Sequence, residues 1–337
     1  MKKRKVTLDT IANRLGVTKV TISKALNNQP GVSAELKKRI VQTSLELGYT
    51  TKTATKMANT VSKLGFLVPK RFFLDTDNFY TRIYYYMNQE CAQRNISISL
   101  YILNPEQEGN FSVPLSLDKD QSELNGLFIV GELSEEYIRM LSSFPLPIIA
   151  IDFYKTDLPF DCILSDNYQS GYLVTKHLID KGHVHIGFVG DPHYTSSVMD
   201  RYCGYLKALT TYNIELNKDW HIINNDANGS YLIDFSLPKE LPTAYVCHCD
   251  MAAYKLLIKL QSEGITVPDQ VSIISFDNTD LSQTLVPALS SVNISKHDFA
   301  TEAVSLMLWR LKHSKEQHKY TYLKSSLIHR DSVRKLN

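Results

Sequence analysis

"VTLDTIANRLGVTKVTISKALNNQPGVSAELKKRIVQTSLELGY" spans residues 6–49. In its first part Leu8, Ile11, Ala12 and Leu15 fall at i, i+3, i+4 and i+7, the stripe of one helix face. Thr7 stands before them as an N-cap, and Gly16 follows where a helix end wants a residue with positive φ. Val17 is expected to be a buried turn residue, with Thr18 capping a second helix. In that helix Ile22, Ala25 and Leu26 face inward, while Lys19, Val20, Ser23, Lys24 and Asn27 face out. A third helix is expected after Gln29-Pro30-Gly31, capped by Ser33, with Leu36, Ile40, Leu45 and Leu47 as its apolar residues. It should stop at Gly48-Tyr49.

Two short helices joined by a tight glycine turn, with a third behind them, make a helix-turn-helix. In that motif the second helix enters the major groove with its N-terminal residues toward the base edges. The small Ala12 and Ala25 suit a close approach of the first two helices. Lys19 and Lys24 can donate to guanine acceptors, Val20 can meet a thymine methyl, and Thr18, Thr21 and Ser23 can donate to phosphates. A plain amphipathic surface helix would show the same two faces, and the charge distribution argues against it. The whole chain of 337 residues carries a net charge of only +2. Residues 1–63, however, hold 13 Lys/Arg against three acids, Asp9, Glu35 and Glu46. The remainder is acidic, so a polyanion is expected as partner for the first part alone.

The same stretch resembles the DNA-binding domain of the LacI/GalR family of bacterial transcriptional repressors. It follows, without a gap from Val6 to Tyr49, the pattern V-T-x-x-x-I-A-x-x-x-G-V-(S/T)-x-x-T-(V/I)-S-(K/R)-x-(L/V)-N. The resemblance implies base-reading positions at Lys19, Val20 and Lys24. It implies backbone-contacting or supporting positions at Thr7, Thr18, Thr21, Ser23, Asn27 and Tyr49. Lys24 stands where many members have Arg, which keeps the charge but loses the planar bidentate fork. In the family, the next segment is a hinge helix that orders on the operator and wedges an apolar side chain into the minor groove. Residues 50–63, "TTKTATKMANTVSK", depart from that pattern: Lys56 replaces its Arg and Ala58 its wedge Leu, with Met57 the large apolar residue nearby. A hinge using Lys56 and Met57 and a plain flexible tether both remain open.

From Leu64 the pattern becomes apolar runs of four to seven residues, such as "LGFLV" (64–68), "GLFIV" (126–130) and "VSIISF" (271–276). Amphipathic stretches alternate with them, among them 79–94, 168–181, 200–212, 250–263 and 295–313. Strand–helix alternation with two-sided apolar strands predicts parallel sheets covered on both faces, with a ligand cleft at the strands' carboxyl ends. The fold class expected is therefore α/β: a small all-α helix-turn-helix domain followed by a two-lobed domain of parallel sheets flanked by helices. This larger module resembles the effector-binding domain the family shares with periplasmic sugar-binding proteins. The domains expected are 1–49, a linker 50–63, and 64–337 in two lobes, 64–161 with 292–321 and 162–291 with 322–337. The three crossings then fall near residues 161, 291 and 321.

The resemblance places Asp152, Arg201 and Asp277 at ligand contacts, with Phe79 as a flanking aromatic and Ser196 and Ser197 in a loop nearing the cleft. Carboxylates and a guanidinium suit vicinal hydroxyls through charge-assisted hydrogen bonds. Cys249 stands where many members have a ligand-bonding Asn. A thiol is a weaker partner, so a family-typical hexose does not follow, and His248 either takes over or points away. Cys247-His248-Cys249 has poor spacing for zinc, and His183 and His185 read as a helix-to-strand turn; no metal and no cofactor are expected. The G-x-x-x-x-G-K-[ST], G-x-S-x-G and H-E-x-x-H patterns do not occur, so no enzyme is expected. The expectation is a cytoplasmic, homodimeric repressor of a carbohydrate-utilisation operon, without a signal peptide or a membrane partner, whose binding to operator DNA is modulated by a sugar or sugar derivative in the inter-lobe cleft. A corepressor-dependent regulator of a non-sugar pathway and a sugar-binding transport protein are the alternatives.

Overall fold

The computed structural model describes residues 6–26, 29–47, 49, 61–74, 78–155, 160–226, 229–232 and 234–336. Asn27, Gly48, Lys56, Met57 and the side chain of Leu45 lie outside the described residues, as does most of the expected hinge. The chain divides into two compact units, Met1–Ser62 and Lys63–Asn337.

The first unit contains α1 (Leu8–Leu15), α2 (Lys19–Leu26) and α3 (Ala34–Glu46). Local chemistry sets each boundary. Thr7 and Thr10 form a reciprocal capping box at the start of α1, and Gly16 ends it at φ +67°. The Thr18 hydroxyl accepts from the Thr21 amide at 3.2 Å, and that of Ser33 from the Leu36 amide at 3.3 Å. Ile11, Ala12, Ile22, Ala25, Leu26, Ile40 and Val41 form the core, with Leu8, Leu15, Leu36, Leu47 and Tyr49 packed against it. Val17 belongs to that second shell, half-buried rather than buried, because it borders the open side of the turn.

The second unit holds two six-stranded sheets. The first has β1 (Lys63–Pro69), β2 (Ser97–Leu103), β3 (Gly126–Val130), β4 (Ile148–Ile151), β5 (Asp161–Ser165) and β11 (Tyr320–Leu323), in the order β11-β5-β4-β3-β1-β2. The second has β6 (Ile186–Val189), β7 (His221–Ile222), β8 (Ala244–Cys247), β9 (Ser272–Asp277), β10 (Ser290–Asn293) and β12 (Ser326–Ile328), in the order β12-β10-β9-β8-β6-β7. All pairings are parallel except β10 with β12. The helices between them are α4 (Lys70–Phe73), α5 (Phe79–Gln93), α6 (Pro105–Gly109), α7 (Leu115–Asp120), α8 (Glu135–Leu141), α9 (Asn167–Asp180), α10 (Ser196–Thr211), α11 (Asp250–Ser262), α12 (Asp280–Thr284) and α13 (Lys296–Lys312). Central strands such as β3 and β9 are buried along their whole length, as parallel strands covered on both faces must be.

The crossings fall later than 161, 291 and 321. β5 pairs with β4 and β11 in the first sheet, so the chain leaves that lobe only after Ser165. It returns after Asn293 and crosses last between Leu323 and Ser326. Two buried features fix the lobes near these points. Arg310 on α13 grips Asp161 through Nε at 2.5 Å and Nη2 at 2.8 Å, tying α13 to the start of β5. Where α9 crosses α10, a Cβ on Gly171 would lie 2.3 Å from the Arg201 carbonyl and one on Gly204 2.2 Å from that of Tyr168. The two glycines let the backbones touch, and that contact sets the depth at which Arg201 enters the cleft.

Candidate functional site

Between the lobes, at the carboxyl ends of both sheets, lies a cavity of about 60 Å³. Asp152 follows β4 at φ +67°, and Asp277 closes β9 at φ +97°. These left-handed backbones turn both carboxylates out of their sheets. Arg201, on the second turn of α10, meets them in the middle. Its Nε donates to Asn167 Oδ1 at 2.8 Å, one Nη to the His248 carbonyl, and Nη2 to Asp277 Oδ1 at 3.1 Å. The guanidinium also lies 4.7 Å over the Phe276 ring.

Asp152 differs from Asp277. Its Oδ2 accepts from the Tyr80 hydroxyl at 2.7 Å, and its Oδ1, buried, has no partner among the described residues. Burial pushes this carboxyl up to about 6, against the pull of Arg201 and the Tyr80 hydrogen bond. His248 is driven the other way, down to about 3, by burial and by Arg201, so it lines the cavity as a neutral ring. It stacks on Tyr231 with 5.8 Å between ring centres. Cys249 caps α11, its sulfur accepting from the Ala252 amide at 3.3 Å and lying 3.0 Å from the Tyr231 hydroxyl. The thiol therefore serves the helix, and Tyr231 brings a hydroxyl to the same wall.

Phe79, Asp152, Ser197, Arg201, Cys249 and Asp277 all line this cavity. Ser196 does not: its amide and hydroxyl bind Glu132 across the cleft at 2.5 and 2.9 Å, because the first turn of α10 aims it at the opposite lobe. Sequence reasoning missed Phe72, Tyr80, Tyr194, Tyr231 and Met251 on the walls. The aromatic run "NFYTRIYYY" from Asn78 pointed to Phe79 and held Tyr80 one place on. No three His, Cys, Asp or Glu side chains among the described residues are grouped to hold a metal. His183 has both ring nitrogens engaged, by Thr243 at 2.9 Å and the Arg334 carbonyl at 3.1 Å.

On the first unit, Lys19, Val20 and Lys24 stand exposed on α2, Val20 at 62 %. Thr18 is exposed, and Thr21 and Ser23 are half-buried beside them. The Thr7 hydroxyl is in the α1 cap, and Tyr49 leans on the core. Lys19 pairs with Asp9 at 2.9 Å, but both side chains are more than half exposed, so a DNA acceptor can displace the pair at little cost.

Residues 7–52 match the model described as "Bacterial regulatory proteins, lacI family", and residues 175–333 match "Periplasmic binding protein-like domain". The chain therefore carries a lacI-family DNA-binding domain and a periplasmic-binding-protein-like domain. It is a DNA-binding transcriptional regulator of repressor type, not an enzyme. The HTH-type transcriptional repressor PurR of Pasteurella multocida (strain Pm70) is 26 % identical over 337 residues, covering 97 % of this chain and 98 % of that one. Two solved structures share the fold of this chain across its length. A transcriptional regulator CelR–cellobiose complex superposes with TM-score 0.69 at 19 % identity, covering 97 % of this chain and all of that one. The lac repressor dimer bound to operator and the anti-inducer ONPF gives 0.67 at 18 %, covering 98 % and 100 %. No helix among the described residues is long and apolar enough to cross a membrane.

Proposed function

We propose that this LacI-family chain is a cytoplasmic homodimeric repressor whose grip on a two-half-site operator is set by a neutral, hydroxyl-rich small molecule between its lobes. The observation that carries the effector reading is Asp152 Oδ1. A buried acceptor without a donor, beside an Arg–Asp pair and flanked by aromatic rings, is completed by a ligand hydroxyl, and the rings suit the apolar face of a sugar. Lys19, Val20 and Lys24 read bases, Thr18, Thr21 and Ser23 fix the backbone register, and Thr7 and Tyr49 hold α2 in place. Effector and operator then bias one lobe equilibrium from two sites. A dimer whose headpieces no longer span both half-sites loses one set of contacts.

The names of the full-length relatives favour a second reading, a purine base in the same cavity as a corepressor. Fluorescence anisotropy separates the two. The full chain is titrated onto DNA from upstream of its own gene and onto random DNA across a salt series, then challenged with sugars and with purine bases. The expected result is site-selective binding that weakens steeply with salt and is released by a sugar. Tighter binding with a purine base supports the second reading. Equal affinity for both DNAs under every addition overturns the regulator's proposed mode of action.

A further inference from the structure

β9 ends in a turn that side-chain-bearing residues rarely make. Asp277 stands at φ +97° and Asn278 at φ +46°, two successive left-handed residues without glycine. Such a backbone persists only where surrounding bonds over-determine it. Within the second lobe, the Asn278 amide donates to Ser291 Oγ at 3.0 Å. The Asn278 side chain is held by Arg330 at 2.6 Å and Asn293 at 3.0 Å. The carbonyl oxygens of the turn are gripped from the other lobe. Lys296 Nζ donates to the Asp277 carbonyl and, at 3.3 Å, to that of Asn278. Lys296 opens α13, which packs with the first sheet, and its ammonium lies 5.2 Å over the Phe79 ring. Phe79 is a cavity wall of the first lobe, and its neighbour Tyr80 is the donor to Asp152. Just beyond the turn, Asp280 accepts from Asn78 at 2.6 Å and Arg82 at 2.8 Å, again from the first lobe.

We propose that Lys296 is a positioning residue for the effector cavity. Its ammonium, seated on Phe79 in one lobe, fixes the left-handed Asp277–Asn278 turn in the other. Approach of the lobes and presentation of the Asp277 carboxylate are thereby one event. The job needs a cation on a flexible stem with several donors, which reaches two adjacent carbonyls at once. The inference rests on Asp277 facing the effector, as in the proposed function, but its test uses no effector.

Hydrogen exchange read by mass spectrometry on the full chain compares the parent with Lys296→Met and Lys296→Arg. Methionine keeps the stem against Phe79 and removes the donors; arginine keeps the donors. The expected result for Met is exchange about tenfold faster in two separated places, 278–284 in the second lobe and 79–83 in the first, with 300–312 unchanged. Arginine should bring both to within about twofold of the parent. Parent-like exchange in Lys296→Met overturns the proposal. So does acceleration confined to α13, acceleration spread evenly over the module, or a rise in Lys296→Arg equal to that in Met. A failed effector screen leaves this result standing, and failure here leaves the cavity's assignment to an effector untouched.

Discussion

Among the described residues, the seven buried apolar side chains of the headpiece core run from Ile11 to Val41, whereas the cavity proposed for the effector draws Phe79, Asp152, Arg201, Cys249 and Asp277 from across about two hundred positions. The first is made by helices that follow one another directly, each begun by its own capping side chain. The second exists only when two sheets with different chain excursions are brought face to face. The difference teaches where each kind of function is encoded. On the proposed function, DNA reading lies in the order of side chains along α2, and ligand reading lies in the backbone turns that end β4 and β9.

The largest test of that contrast is Arg310→Ala. It strands Asp161 as a buried charge and should remove about 3–5 kcal/mol from the effector module. Two-transition thermal unfolding should show the large unit melting early while the headpiece transition holds. A shift of both transitions together would mean the units do not fold separately. Ile22→Ala is the converse: a core deletion of about 2–5 kcal/mol confined to the headpiece. It should abolish operator binding while leaving the melting of the large unit in place. If the large unit moves too, the cores are coupled.

Lys24→Ala sharpens the picture without touching stability. It should weaken operator binding by roughly 1–3 kcal/mol, with little loss on random DNA, as anisotropy would measure. An equal loss on both would reduce Lys24 to a phosphate contact. The smallest effect is on pH. Asp152 titrates near 6 when folded and near 4 when unfolded, so its ionisation adds no cost to folding below about pH 4. The cost sets in between about 4 and 6 and is complete above. Asp152→Asn should therefore gain stability over the parent as pH rises through that window, by denaturant melts at each pH. His248, held down near 3, tilts stability the opposite way in both proteins and cancels from the difference. A difference that is flat with pH would mean the Asp152 carboxyl is not desolvated.

How much of this was legible in the sequence follows the same division. Thr7, Gly16 and Ser33 mark helix ends through bonds to residues three or four places away, so their roles could be read from spacing alone. The long apolar strands and the helices between them were legible for the same reason. β5, "DCILS", and β10, "SSVN", are short and partly polar, and their place is decided by neighbours far along the chain, which is why the crossings lie later than the sequence pattern predicts. Asp152, Arg201 and Asp277 are marked only by the family resemblance, and nothing in periodicity singles them out. Ser196 and Ser197 differ by one helical step of about 100°, which sends one to Glu132 and the other to the cavity. Tyr231 sits in a stretch without regular pattern, so only the folded cleft reveals it.

The three crossings carry a mechanical consequence. Two bodies joined by one thread can swivel, slide and twist, but three threads side by side act as the spine of a book. Only the angle between the covers stays soft. On the proposed function, whatever molecule settles between the pages sends its message out of the cleft as a single number, the opening angle. Chemistry can then be rewritten on the pages without rewriting how the binding turns.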